Sequence, residues 1–178
     1  NSFGHTLLVG GSPGRIGAIA MAARATHRMG TGLVTVATWA DAFDPLLYKL
    51  PNETMAVKLH LSGPEYEPYR RSLGGYSSIV VGPGVGMRPE GKLLLEEILA
   101  IYEGPLVLDA DALNLVADHR LHDRIVKRRG PTVLTPHPGE MARLLETSTN
   151  KIQAKRSMVA KDFSKEYNVV TVLKGRNT

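Results

Sequence analysis

The chain has 178 residues, of which 43% are hydrophobic, so residues 1–178 can form a single domain with its own core. It contains no cysteine, which excludes disulfides and thiolate metal sites and favours a reducing, cytoplasmic location. No apolar stretch approaches the roughly 20 residues that span a bilayer. The aromatic content of 6% comes without the basic, aromatic-interleaved runs that bind nucleic acid. We therefore expect neither a membrane partner nor a nucleic-acid partner.

The formal charge of the chain is +5, and residues 139–178 hold eight Lys and Arg against four Asp and Glu. An excess of positive charge near one end suits a small anionic ligand such as a nucleotide. Most of these charges are explained equally well by a solvated helix face.

Short apolar runs alternate with helical patterns along the chain. The apolar runs lack the polar alternation of half-exposed strands, which is typical of parallel strands covered on both faces. We therefore predict an α/β domain with a mostly parallel sheet and helices on both faces. A polar stretch bearing Pro and Gly, 62–75, predicts a surface connection. The predicted strands are 6–9, 33–37, 55–59, 79–81, 106–108, 132–134 and 169–173, and the predicted helices are 16–29, 89–102, 140–145 and 151–167.

The last predicted strand turns into a loop at Lys174 and Gly175, close to the final residue. A parallel strand that is buried on both faces normally has a following element to cover it. We therefore expect the domain to be truncated at its C-terminus.

Two glycine-rich loops follow predicted strands, at residues 10–18 and 82–86. Glycines allow positive φ and a close backbone approach, and a helix N-terminus attracts anions. The first loop has Ser12 at the second glycine of a G-x-G-x-x-G fingerprint, and it lacks the Gly-Lys-Ser/Thr of a Walker A loop. Both a ligand-binding loop and a plain strand-to-helix turn fit each segment.

Polar side chains follow three further strands, and ligands of open parallel sheets bind beyond the carboxyl ends of the strands. Asp109 and Asp111 come directly after the strand at 106–108, and we expect one to face the crevice and the other to be a helix N-cap. His137 lies between two prolines, which fix its backbone and favour a ligand contact over a purely structural role. Lys174 and Arg176 suit phosphate groups.

Taken in order, these motifs resemble the ADP- or ATP-dependent NAD(P)H-hydrate dehydratases, which have a ribokinase-like fold. The resemblance covers nearly the whole chain, and its most specific segments are Asp-Ala-Asp-Ala-Leu-Asn at 109–114 and Thr-Pro-His-Pro-Gly-Glu at 135–140. It implies a repair reaction, in which a nucleotide phosphorylates the hydroxyl of a hydrated nicotinamide ring and phosphate is then eliminated. It also implies a homo-oligomer.

The resemblance also implies roles for individual residues. Ala18, His137 and a glycine of the second loop, Gly84 or Gly86, would contact the hydrated dinucleotide. A polar floor for that substrate would come from Asp109, Asp111 and Asn114, and Glu140 would reach Mg²⁺ through water. The phosphates of ADP or ATP would lie against Lys174, Gly175, Arg176, Asn177 and Thr178.

The chain departs from the family pattern at two points. Ile16 stands where the family's glycine loop has a small polar residue, often threonine. No Gly-Gly-x-Gly-Asp segment occurs in the 178 residues, and in the family that segment carries the aspartate base. We therefore expect the 178-residue chain alone to be inactive.

Three other functions stay open on the sequence. A small-molecule kinase of the same fold would act on a vitamin precursor or a sugar. A non-catalytic fragment would bind the dinucleotide without turnover. A conventional dehydrogenase fits least well, because the fingerprint glycines are missing and no acid ends the second strand.

Overall fold

The computed structural model describes residues 2–176, and these residues form one seven-stranded, all-parallel sheet. The strand order is β3-β2-β1-β4-β5-β6-β7. β1 pairs on one side with β2 and on the other with β4, so the direction of winding reverses between β1 and β4. The strands are β1 (His5–Val9), β2 (Leu33–Thr38), β3 (Met55–Lys58), β4 (Ser78–Val81), β5 (Leu106–Leu108), β6 (Thr132–Leu134) and β7 (Val170–Thr171).

Helices connect the strands, as the alternating pattern predicted. The longest begin where the sequence indicated, with Pro89 in the first turn of α4, a position at which the missing N–H costs nothing. The helices are α1 (Ile16–Arg28), α2 (Ala40–Leu47), α3 (Tyr66–Ser72), α4 (Pro89–Ile101), α5 (Asp111–Asp118), α6 (His122–Val126), α7 (Pro138–Leu144), α8 (Thr149–Ala154) and α9 (Arg156–Tyr167), and a 3₁₀ turn spans Leu73–Gly75. None of them is long and apolar enough to cross a membrane.

One predicted connection and one predicted helix were wrong. The segment 62–75 is more than a connection, because Tyr69 and Leu73 are buried and anchor α3 and the 3₁₀ turn on the core. The predicted helix 151–167 is two helices, because Lys155 leaves the helical region (φ −142°, ψ 39°) between α8 and α9.

Two hydrophobic clusters lie on opposite faces of the sheet, because successive strand residues point to opposite sides. The larger cluster contains Leu7 and Ile79 together with residues of α4, α5 and α7. The smaller contains Leu8 and Val36 together with residues of α1 and α2. Helices therefore pack against both faces, and the structure confirms the predicted fold class.

The face that carries Leu8 is covered unevenly. Val80, Val107, Val133 and Val170 are in register across β4 to β7, so their side chains share this face. The first three are partly exposed, and Val170 is 56% exposed. Within residues 2–176, this row leaves apolar side chains of three interior strands and of the edge strand β7 partly open to solvent.

Candidate functional site

The two glycine loops meet at the point where the strand order reverses. The amide of Gly11 donates to the carbonyl oxygen of Pro83 at 3.0 Å. A Cβ on Gly84 would lie 2.5 Å from the carbonyl oxygen of Arg15, closer than a real Cβ can approach. Ligands of open α/β sheets bind at such a switch point, so this edge is the candidate site.

The glycines at this junction have a packing role of their own. Gly84 and Gly86 are buried, and Gly86 lies against the side chain of Ser12. Ala18 is half-buried in the first turn of α1. Their predicted contacts with a dinucleotide stay predictions.

The carboxylate of Asp111 joins the two loops. Its Oδ2 accepts from the backbone N–H of Gly86 at 2.9 Å and from a guanidinium nitrogen of Arg15 at 3.3 Å. The expectation that one aspartate is a helix N-cap was wrong. The N-cap of α5 is Ala110, at φ 50° and ψ −120°, and no side chain caps this helix. The backbone conformation of Ala110 makes Asp111 the first residue of α5. From there the Asp111 carboxylate faces the second glycine loop.

Asp109 belongs to a second network, built from the ends of β5, β6 and β7. Its Oδ1 accepts from Thr135 Oγ1 at 2.7 Å and from Lys174 Nζ at 2.6 Å. Burial alone would raise the pKa of Asp109, but the hydrogen bonds from Lys174 and Thr135, with the Lys174 charge, outweigh it. The pKa of Asp109 is therefore held below its usual value, and the carboxylate is ionised at neutral pH.

His137 and Glu140 form a capping box at the start of α7. Nδ1 of His137 accepts from the backbone N–H groups of Gly139 and Glu140, at 3.0 and 3.2 Å. In return, Glu140 Oε2 accepts from the His137 N–H at 2.7 Å. The prolines and this box fix the imidazole, whose other nitrogen lies 3.4 Å from Glu140 Oε1. Sequence reasoning missed this capping role, although His-x-x-Glu before an apolar run resembles a capping box.

Lys174 connects the capping box with the Asp109 network. Its Nζ lies 3.8 Å from Glu140 Oε2 in addition to its contact with Asp109. The ammonium thus stands between two carboxylates, and its side chain is 41% exposed. The next residues, Gly175 and Arg176, are exposed. The other predicted nucleotide-binding residues, Asn177 and Thr178, lie outside the described residues.

Asn114 lies on α5, one helical turn after Asp111. Its Oδ1 accepts from a guanidinium nitrogen of Arg143 at 2.9 Å, which links α5 to α7. Three partners in the site escaped the sequence reasoning, although Arg15 and Thr135 lie inside the quoted motifs. The third, Arg143, lies one helical turn after Glu140, and only the fold brings it to Asn114.

The described residues do not form a metal cage. Residues 2–176 contain no group of three or more His, Asp or Glu side chains placed to hold an ion. The side chain of Glu140 is 6% exposed, and both of its oxygens have neighbours in the capping box. Direct coordination of Mg²⁺ by these residues therefore does not fit.

Comparison with known proteins identifies the family of the chain. A family model described as NAD(P)H-hydrate dehydratase matches residues 6–178. The bifunctional NAD(P)H-hydrate repair enzyme Nnr of Moorella thermoacetica is 40% identical over 99% of this chain and 34% of its own length. The ADP-dependent (S)-NAD(P)H-hydrate dehydratase of Bacillus subtilis is 30% identical over 99% of this chain and 60% of its own.

Solved structures show the same relationship. The Bacillus subtilis ADP/ATP-dependent NAD(P)H-hydrate dehydratase, co-crystallised with ATP and Mg²⁺, has a TM-score of 0.75 and 27% identity over 98% of this chain and 58% of its own. A ribokinase-like superfamily protein of Enterococcus faecalis has a TM-score of 0.81 and 26% identity, and the match covers 97% of this chain and 58% of its own. The chain spans less than two thirds of the length of these proteins. It belongs to the NAD(P)H-hydrate dehydratase family.

Proposed function

We propose that the protein, at its full natural length, dehydrates hydrated NADH or NADPH at the expense of ADP or ATP. The observation that carries this proposal is the meeting of two glycine loops with Asp109, Lys174 and Glu140 at one edge of the sheet. Membership of the family supplies the reaction type, and the named relatives supply the substrate class.

The proposed reaction needs stabilisation of the negative charge that develops on the phosphate groups. The ring hydroxyl gives its proton to a base and attacks the terminal phosphorus of the nucleotide. The bond from that phosphorus to the bridging oxygen breaks, which releases AMP from ADP or ADP from ATP. The ring C–O bond then breaks with its electrons going to phosphate, and loss of a proton from the adjacent carbon restores the double bond. Positioning and electrostatic stabilisation supply most of the catalysis in such transfers.

Lys174 is the described residue best placed to meet a phosphate. Its side chain is partly exposed, and its ammonium contacts Asp109 and Glu140. These contacts position the ammonium before a ligand binds. Arg15, whose side chain is 57% exposed beside Asp111, offers a second cation at the dinucleotide side. Residues 2–176 do not fit a directly bound ion, and the contact of Glu140 with Mg²⁺ through water stays a prediction.

Neither aspartate of the floor is placed to act as the base. Asp109 is held by Lys174 and Thr135, and Asp111 by Gly86 and Arg15. A carboxylate that is paired with a cation and already accepts hydrogen bonds competes poorly for a further proton. This supports the expectation that residues 1–178 alone show no turnover, and measurable turnover by them would contradict it.

The test is regeneration of NADH from hydrated NADH by the full-length protein, followed by the absorbance of the reduced nicotinamide, with ADP and ATP in separate runs. We expect signal with at least one nucleotide, which also identifies the donor. No signal with either, from a folded protein that binds nucleotide, would overturn the proposal. Accumulation of a phosphorylated product from a vitamin precursor or sugar would then favour the kinase.

We further propose a cytoplasmic homo-oligomer. The absence of cysteine supports the compartment, and exposed methionines on one side of α1, Met21 at 65% and Met29 just beyond at 85% exposure, support an interface. A mass measured by light scattering during gel filtration should be a multiple of the chain mass, and a strictly monomeric mass would contradict this assignment.

A further inference from the structure

Trp39 follows β2 directly and reaches the second glycine loop. It is the only tryptophan of the chain and is 6% exposed. Its indole N–H donates to the carbonyl oxygen of Val85 at 2.8 Å. The ring is covered by the guanidinium of Arg88, 4.9 Å from its centre, which also binds Asp41 at 3.0 Å. The indole is thus fixed from both sides.

The carbonyl that Trp39 binds and the N–H that Asp111 binds belong to the same peptide unit, between Val85 and Gly86. A peptide unit is planar, so its C=O and N–H point in opposite directions and rotate together. Trp39 and Asp111 therefore hold one plane from its two ends. Gly86 has φ 83°, and as a glycine it gives this plane the freedom to rotate.

We propose that Trp39 is a positioning residue that prevents this peptide from flipping and so keeps Asp111 in place beside Arg15. The proposal rests on the proposed function, because it makes Trp39 act on dinucleotide binding through Asp111. In the flipped state, the carbonyl of Val85 would face the carboxylate of Asp111. Two acceptors would then repel each other, and Asp111 would leave its contact with Arg15.

The first test measures the clamp itself and needs no substrate. Trp39 is the one tryptophan of residues 1–178, so biosynthetic incorporation of benzothienylalanine changes no other ring in this part of the protein; the analogue keeps the shape of the indole and removes its N–H. We expect the Gly86 amide to exchange its hydrogen at least about tenfold faster than in the wild type, both in the benzothienylalanine-substituted protein and in Trp39→Phe. Unchanged protection of the Gly86 amide would overturn the clamp, whatever the protein does with substrate.

The second test uses steady-state kinetics of the full-length protein. Losing one buried hydrogen bond should raise the KM for hydrated NADPH by about threefold to tenfold and leave the KM for ADP unchanged. Tyr102→Phe is the matched control, because it also removes one aromatic donor to a backbone carbonyl, that of Tyr76 at 3.1 Å. Tyr76 and Tyr102 lie before the start of β4 and β5, at the end of the sheet opposite the candidate site. Neither KM value should therefore change in Tyr102→Phe.

The outcomes separate the two proposals. If the wild-type protein neither binds nor turns over hydrated NADH or hydrated NADPH, the proposed function fails, while the hydrogen exchange of the Gly86 amide still decides the clamp. If the wild type is active and the Trp39 variants keep its KM for hydrated NADPH, the positioning role fails. An equal rise of both KM values would indicate general loosening and would also contradict it.

Discussion

Replacing Lys174 by methionine tests the charge network of the site most directly. Lys174→Met keeps the length of the stem and removes the ammonium that binds Asp109 at 2.6 Å. A charge-assisted hydrogen bond contributes about 1.5–3 kcal/mol when shielded, and exposed pairs contribute about 0.2–1 kcal/mol. The Lys174 side chain is 41% exposed and that of Asp109 is 29% exposed. Because solvent partly screens this pair, its contribution should lie between the values for shielded and for exposed pairs. We expect a loss of about 1–2 kcal/mol at pH 7.

The pH dependence of this loss distinguishes an ion pair from simple packing. The pKa of Asp109 is lowered in the folded protein, so the stability it contributes is present above the unfolded pKa and disappears as pH falls through the folded pKa. Urea denaturation of wild type and Lys174→Met should therefore converge at low pH. Arg120→Gln, which breaks an exposed pair with Glu146, should cost under about 0.5 kcal/mol. An equal loss for Lys174→Met at pH 7 and at low pH would refute the reasoning.

Three further predictions concern the backbone and a histidine. Gly82 has φ 130°, and a Cβ on it would overlap the carbonyl oxygen of Asp109. Gly82→Ala should therefore lower the free energy of unfolding, measured by urea denaturation, by at least about 2 kcal/mol, and a near-neutral result would contradict this close approach. Ala110 has φ 50°, so Ala110→Gly should stabilise the protein by about 1 kcal/mol, whereas a lower urea midpoint would show that the turn is unstrained. Burial lowers the pKa of His122 from 6.5, so stability should fall as pH drops through 6.5 towards the folded pKa; an NMR titration of this ring at or above 6.5 would contradict it.

The sheet was largely predictable because most of its strands are short apolar runs that lie between turn or polar residues. The runs at Leu106–Leu108 and Thr132–Leu134 match the structure residue for residue, since prolines before them and polar residues after them mark both ends. Short helices were harder to predict. α2 contains Pro45, and α5 begins after an alanine with positive φ, so neither shows the usual helix-start signals.

The site was predictable as a location and less so as a set of contacts. Strand ends carrying Asp109 and His137 had to meet at one edge of a parallel sheet. The pairing of Asp109 with Lys174 joins residues 65 positions apart, and only strand order decides that distance. The same holds for Trp39 and Val85, because β2 and β4 become neighbours of β1 through the reversal of winding.

The row of valines across β4 to β7 has a consequence for anyone who handles these 178 residues as an isolated polypeptide. An exposed row of apolar side chains favours self-association and the binding of apolar dyes. Samples should therefore become turbid sooner as concentration or kosmotropic salt rises. Native-state fluorescence of a dye such as ANS should be bright before any unfolding, and changing Val170, the most exposed of the row, to threonine should dim it.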